Sequence, residues 1–144
     1  MTKLTPYICC QEAARAIEFY ARAFGATERM RLAEPDGRIG HAEIDVAGAA
    51  VMLSDEYPDH GVRSPKTIGG TPVTLHLYVD DVDAFVLRAV AAGATLRRPV
   101  ADQFYGDRAG QIEDPFGHVW HVATRKEELS NDEVQRRYDR LMKQ

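Results

Sequence analysis

A chain of 144 residues is long enough to bury most of its apolar surface, as one domain or as two small modules that share a core. A formal net charge of −4 and a pI near 5.7 argue against a nucleic-acid groove or an anionic membrane surface as partner, because either favours a basic face. No apolar run approaches the length of a bilayer span and MTKLTPYICCQ lacks a signal-peptide core, so the expectation is a cytoplasmic protein that handles small molecules.

Residues 4–10 (LTPYICC) read as a short strand. Cys9 and Cys10 are the only cysteines and point to opposite faces of it, which excludes a disulfide framework or a CxxC metal knuckle and leaves two reduced, partly buried thiols. From about Glu12 a helix follows, with Ala13, Ile17, Tyr20, Ala21 and Phe24 along one face and Gly25 at its end. Three strands are expected near residues 26–31, 38–46 and 49–54, with Asp36-Gly37 and Ala47-Gly48 as the turns between them. Residues 3–55 thus form a β-α-β-β-β module. Residues 56–72 hold Pro58, Pro65 and Pro72 among several glycines with no sustained period, and read as a linker able to fold over a pocket.

The pattern then repeats over residues 73–124. Val73 to Val79 alternates as a strand, and a helix over 80–92 places Val82, Phe85, Val86, Ala89 and Val90 on one stripe, with Asp80 or Asp81 as its cap and Gly93 as its stop. A strand at 96–100 precedes a hairpin whose turn, Asp114-Pro115-Phe116-Gly117, has type I chemistry. A shift of about 68 to 70 residues superposes AFGA at 23–26 on AAGA at 91–94, and GHAEI at 40–44 on GQIED at 110–114, which marks an internal duplication. In residues 127–144, Ser130 to Glu133 form a capping box, and Val134, Tyr138, Leu141 and Met142 form the apolar stripe of a helix that docks on its own module or on a partner subunit.

Strand alternation sorts polar side chains onto one face. With Leu75, Leu77 and Val79 under the helix, Thr74, His76 and Tyr78 face the other way. The same face takes Thr5, Tyr7 and Cys9 from the first strand, His41, Glu43 and Asp45 from the third, Gln111 and Glu113 from its repeat, and His121 from the last. His118 and Trp120 alternate away from it, and the indole fills the space between sheet and helix. His60 is read as solvated. Tyr105 and Arg108 precede the last hairpin, where a loop could close the mouth of a pocket. Arg108 either offers its fork to a ligand carboxylate or phosphate, or pairs with Asp107 or Asp114 and braces the loop. Glu113 or Glu43, if burial raises its pKa, could abstract a proton beside a carbonyl.

The duplicated unit, TPVTLHLYVDDVDAF at 71–85 and DPFGHVW at 114–120 together resemble the vicinal-oxygen-chelate superfamily of glyoxalase I, bleomycin-resistance proteins, fosfomycin-resistance enzymes and extradiol dioxygenases. LTPYI, GGTPV and YGDR resemble its PhnB-like branch, and the resemblance covers residues 3–124. It implies an α+β fold in which two βαβββ modules form a curved, cup-like mixed sheet within a single domain, residues 1–126, followed by a C-terminal helix. It also implies a homodimer and a small-molecule ligand or substrate. In metal-dependent members the first and last strands of each module supply four His, Gln or Glu ligands. Motif spacing carries these to Thr5, Met52 or Leu53, Thr74 and His121. Only His121 is a good ligand, so no metal is expected at the shared site and no cofactor is expected. The alternative is a displaced site for Zn, Ni, Mn or Fe built from His76, His121, Glu113, Glu43 and His41.

The resulting expectation is a metal-free protein that binds a small molecule through Tyr7, His41, Glu43, Thr74, His76, Tyr78, Tyr105, Arg108, Gln111 and His121. The alternative is a lyase, isomerase or dioxygenase that works through the displaced metal or a carboxylate base, Glu113 first. A third reading is a structural dimer whose cup is vestigial.

Overall fold

In the computed structural model, residues 1–144 fold as β1 (Tyr7–Cys9), α1 (Ala13–Phe24), β2 (Thr27–Ala33), β3 (Ile39–Val46) and β4 (Ala49–Ser54), then a 3-10 turn (Pro58–His60), α2 (Pro65–Ile68), β5 (Thr74–Tyr78), α3 (Val82–Ala92), β6 (Thr95–Asp102), β7 (Asp107–Glu113), β8 (Val119–Arg125) and α4 (Asn131–Met142). The strands form two four-stranded mixed sheets, ordered β1-β4-β3-β2 and β5-β8-β7-β6. No backbone ladder joins them, so the cup is made of two separate sheets rather than one curved one.

The duplication can be followed atom by atom. Tyr7 pairs with Met52 in the first parallel ladder, and 69 residues on His76 pairs with His121 in the second. The helix caps obey the same shift. Ala13 N–H donates to Asp55 Oδ1 at 3.0 Å, and Val82 N–H donates to Thr124 Oγ1 at 2.8 Å. Each last strand thus ends in an oxygen that satisfies an orphan amide at its helix N-terminus. On the middle strands the offset falls to 68, because Glu43 faces Met52 and Gln111 faces His121. The second hairpin has one more turn residue than the first. Superposing GHAEI on GQIED is therefore two residues out of register: the faces are kept but the partners are not.

Helices α1 and α3 pack on one another and on the inner faces of both sheets, giving a single core. Phe24 stacks on Phe85 at 5.1 Å and meets Trp120 edge-on at 4.9 Å. The joint between the halves is the Asp114 carboxylate, 1% exposed. It accepts from Tyr20 Oη (2.5 Å), Trp120 Nε1 (2.9 Å), Phe116 N–H (2.9 Å) and His118 N–H (3.0 Å). Four donors on one buried charge lock the DPFG turn to α1. The terminal helix is capped by Ser130 Oγ, which accepts from Glu133 N–H. It rests on its own chain: Tyr138 packs on Phe104 at 5.5 Å and Arg137 donates to Phe104 O and Glu127. Leu141 and Met142 stay exposed.

Candidate functional site

The sheet faces turned away from α1 and α3 carry the polar side chains. On β3, Ala42, Ile44 and Val46 are buried while His41, Glu43 and Asp45 on the opposite parity are half-buried. Tyr7 reaches over β4 from the sheet edge, and its Oη lies 2.7 Å from His41 Nδ1. His41 Nε2 lies 2.8 Å from Glu43 Oε2. A carboxylate can only accept, so the imidazole proton sits on Nε2 and the bare Nδ1 accepts the Tyr7 hydroxyl.

The linker roofs this face. Glu56 anchors it, accepting from Ser64 N–H (2.9 Å), from Ser64 Oγ and from Thr67 Oγ1 (2.5 Å). These hydroxyls, Ser64 first, hold the Glu56 carboxyl below its usual range. Gly117 (φ +91°) lets the linker sit on the DPFG turn, because a Cβ there would lie 2.8 Å from that of Pro65. Beneath lies a cleft of about 580 Å³, walled by Tyr7, Cys9, Gly40 and Ser54 from the sheet, by Glu34, and by Tyr57 and residues 60–63 from the linker. Tyr57 stands in its wall with its hydroxyl buried beside Glu34, and burial, then the Glu34 charge, raises its phenol pKa. A second, more apolar cleft of about 340 Å³ lies between β1 and β5, with Ile68, Pro72, Val73 and Leu75 in its wall. Tyr7, Cys9 and Arg63 border both. Burial pushes the Cys9 thiol up to about 11, with Glu56 and then Asp55 adding to it, so this sulfur stays protonated.

The second sheet carries different chemistry on its open face. His76 and His121 face one another with ring centroids 5.0 Å apart. Burial, then His76 and Arg98, hold the His121 pKa below its ordinary value. Tyr78 Oη donates to Asp107 Oδ2 at 2.7 Å, Arg125 Nε donates to Asp107 Oδ1 at 2.7 Å, and a second Arg125 nitrogen donates to Tyr78 Oη at 2.7 Å. Thr74, His76 and Tyr78 are exposed, and Gln111 is paired across from His121.

Several expected roles change. Arg108 lies inside β7 on the helix side, since Asp107, Ala109, Gln111 and Glu113 take the other parity. Its fork is filled by Asp83 (2.9 and 3.1 Å) and Asp102 (3.1 Å), so it braces α3 against β6 and pairs with neither Asp107 nor Asp114. Glu113 is held by Arg97 at 2.9 Å, which is not the unpaired, desolvated carboxylate that a general base needs. Tyr105 packs edge-on against Phe104, and burial, then Asp107, raises its phenol pKa. The five residues of the displaced metal site are divided between the sheets, and no three His, Cys, Asp or Glu side chains converge on one point.

The shared metal positions are also resolved. Met52, opposite Tyr7 and Glu43, takes the second position, while Leu53 is buried in the core. Thr5, Met52, Thr74 and His121 amount to one imidazole, one thioether and two neutral hydroxyls, a donor set that does not fit a divalent metal.

Sequence reasoning considers Asp107 only as a partner for Arg108 and does not reach Arg125. Continuing the alternation two residues before Ala109 and four past His121 reaches both. Tyr57 and Arg63 had no such signal, because a linker has no period.

The model of the Glyoxalase/Bleomycin resistance protein/Dioxygenase superfamily matches residues 4–122. An uncharacterised protein of Mycobacterium tuberculosis (strain ATCC 25618 / H37Rv) is 46% identical over 135 residues, covering 92% of this chain and 79% of that protein. Among solved structures, TioX from Micromonospora sp. ML1 superposes with a TM-score of 0.69 at 28% identity, covering 87% of this chain and 99% of TioX. The PhnB protein from Bacillus cereus shares the fold, with a TM-score of 0.66 at 18% identity, over 85% of this chain and 99% of its own. With nearly the whole duplicated region matched, the chain belongs to the glyoxalase/bleomycin resistance protein/dioxygenase superfamily.

Proposed function

We propose that this is a small-molecule-binding member of the superfamily whose ligand enters the cleft beneath the linker, without the superfamily's shared metal. The observation that carries the proposal is the cleft of about 580 Å³ itself, where Tyr7 and Cys9 of β1 face Tyr57 and the linker, with Arg63 at its border. The volume falls in the range of roughly 300–1,000 Å³ usual for small-molecule sites. Tyr7, with His41 and Glu43 behind it, forms the floor.

The remaining candidates, Thr74, His76, Tyr78, Gln111 and His121, lie on the open face of the second sheet, where a second copy of the chain completes a pocket. A homodimer is therefore part of the proposal. So are the working unit, residues 1–126 with residues 127–144 as an appendage, and a cytoplasmic location. No helix is long and apolar enough to cross a membrane. A Glu113-based lyase or isomerase is disfavoured because Arg97 holds that carboxylate.

The aromatic sulfonate 1-anilinonaphthalene-8-sulfonate tests the cleft by fluorescence titration. Arg63→Ala is expected to weaken it roughly three- to tenfold, one hydrogen bond's worth, while Glu113→Gln leaves it within twofold. Equal affinities for Arg63→Ala and wild type contradict the site. Elemental analysis that finds one tightly held Zn, Ni, Mn or Fe ion per chain contradicts the metal-free part.

A further inference from the structure

The two sheets meet edge to edge without joining. β1 is an edge strand of the first and β5 of the second, and no backbone ladder bridges them. The second cleft, of about 340 Å³, occupies the gap, and Ile8, Ile68, Pro72, Val73 and Leu75 make its wall largely apolar. Ile68 and Val73 are 66% and 59% exposed there, so an apolar group that covers them is favoured by the water it displaces. The helix α2, which supplies Ile68, is pinned in place: Thr67 accepts from Gln11, just before α1, and donates to Glu56, which also accepts from Ser64. Across the gap, His118 Nε2 donates to Cys9 O at 2.7 Å.

This apolar wall carries one permanent charge. No Asp, Glu or Lys lines the gap and the Cys9 thiol is neutral, which leaves Arg63, at the border with the first cleft. Arg29, Arg108 and Arg125 are each tied to an aspartate, whereas Arg63 makes no ion pair. Glu56, whose carboxyl Arg63 helps to hold low, takes its hydrogen bonds from Ser64 and Thr67. Glu34 is engaged by Arg38, and Asp55 by the Ala13 and Ile39 amides. A guanidinium without a partner beside an apolar slot complements a carboxylate with an apolar tail.

We propose that the slot between β1 and β5 holds the aliphatic tail of a medium-chain monocarboxylic acid whose carboxylate pairs with Arg63. This rests on the reading of the first cleft as the ligand's entry, since Arg63 borders both, and it names the ligand class. One planar fork matches one carboxylate, and the wall offers no second cation for a phosphate dianion. The volume, at the lower end of small-molecule sites, suits an unbranched chain better than a fused ring system. Ile68, Pro72, Val73 and Leu75 then lie along the chain, and its carboxylate stays at the rim where Arg63 meets water.

Decanoate is the probe, titrated calorimetrically into the full chain beside octanoate and 1-decanol. Affinity should rise about tenfold from octanoate to decanoate, the effect of two buried methylenes. Decanol, which lacks the carboxylate, should bind about tenfold more weakly than decanoate. Arg63→Ala should bring decanoate down to the decanol level and leave decanol itself unchanged, a pattern that a general loss of structure would not give. Ile68→Asn and Val73→Asn, both at exposed positions, should each weaken decanoate about tenfold while 1-anilinonaphthalene-8-sulfonate binds within twofold of wild type. Decanoate bound equally by these two variants and by wild type overturns the slot, and decanol bound as tightly as decanoate overturns the role of Arg63. Wild type that binds the sulfonate but not decanoate overturns this proposal and leaves the first cleft standing. Binding of neither overturns both.

Discussion

The two halves of the chain share one register and one inner face but not one open face. At equivalent positions the first half carries Tyr7, His41, Glu43 and Met52, and the second carries His76, Ala109, Gln111 and His121. Inside, the correspondence extends to single hydrogen bonds: Asp55 and Thr124 cap equivalent helices at equivalent amides. The inner face answers to packing, where one methylene or one unpaired amide matters, so duplication preserves it. The open face answers to whatever it contacts. The first half has a cleft bordered by the linker and, from Tyr7 on its wall, a hydrogen-bonded chain through His41 to Glu43. The second has an imidazole pair, His76 exposed and His121 half-buried, beside a buried Asp107 held by the exposed Arg125 and Tyr78.

The largest expected effect breaks what the halves share. Asp114→Ala strands Tyr20 Oη and Trp120 Nε1 in the core, along with two turn amides. Denaturant unfolding should show a loss of about 3–5 kcal/mol, the cost of dismantling a buried charge network. A loss below 1 kcal/mol would mean the joint lies elsewhere. Next come the paired caps. Asp55→Ala frees two buried amides, those of Ala13 and Ile39, from a charged acceptor, and Thr124→Ala frees the Val82 amide and the Val79 carbonyl from a neutral hydroxyl, so about 2–3 and about 1–2 kcal/mol are expected respectively. Equal losses would contradict the advantage of the charged cap.

A smaller effect distinguishes the open faces by pH. The folded His121 pKa lies below its unfolded value of about 6.5. Below that value the unfolded chain binds the proton more readily, so His121 stabilises the fold fully above about pH 6.5 and progressively less as pH falls toward the lowered folded value. His121→Gln should flatten this part of the stability profile, measured by melting temperature between pH 7 and 5. An unchanged slope would place the titration elsewhere.

Much of the fold was legible in the sequence because glycines, caps and alternation are local signals. Gly25 and Gly93 ended helices, Ser130 opened α4, and the parity of Thr74, His76 and Tyr78 held. What failed depended on distance or on a missed strand boundary. The sequence suggests a loop at Arg108, yet β7 starts at Asp107, and strand parity turns Arg108 toward Asp83 and α3. Tyr7 and His41 were both placed on the open face. Their contact depends on β4 being the only strand between theirs, which is a matter of sheet order. Arg97 as the partner of Glu113 depends on the bulged β6–β7 register, which no alternation encodes. Tyr57 lies in a segment whose path is set by Glu56, Ser64 and Thr67 rather than by a period.

Nitrogen-15 NMR of the imidazole rings in one sample at neutral pH compares the halves most directly. His41, held between Tyr7 and Glu43, should show a single tautomer protonated at Nε2, while the exposed His76 shows the averaged signals of two. An averaged His41, or one protonated at Nδ1, would contradict the Tyr7–His41–Glu43 hydrogen-bonded chain and the asymmetry between the two open faces.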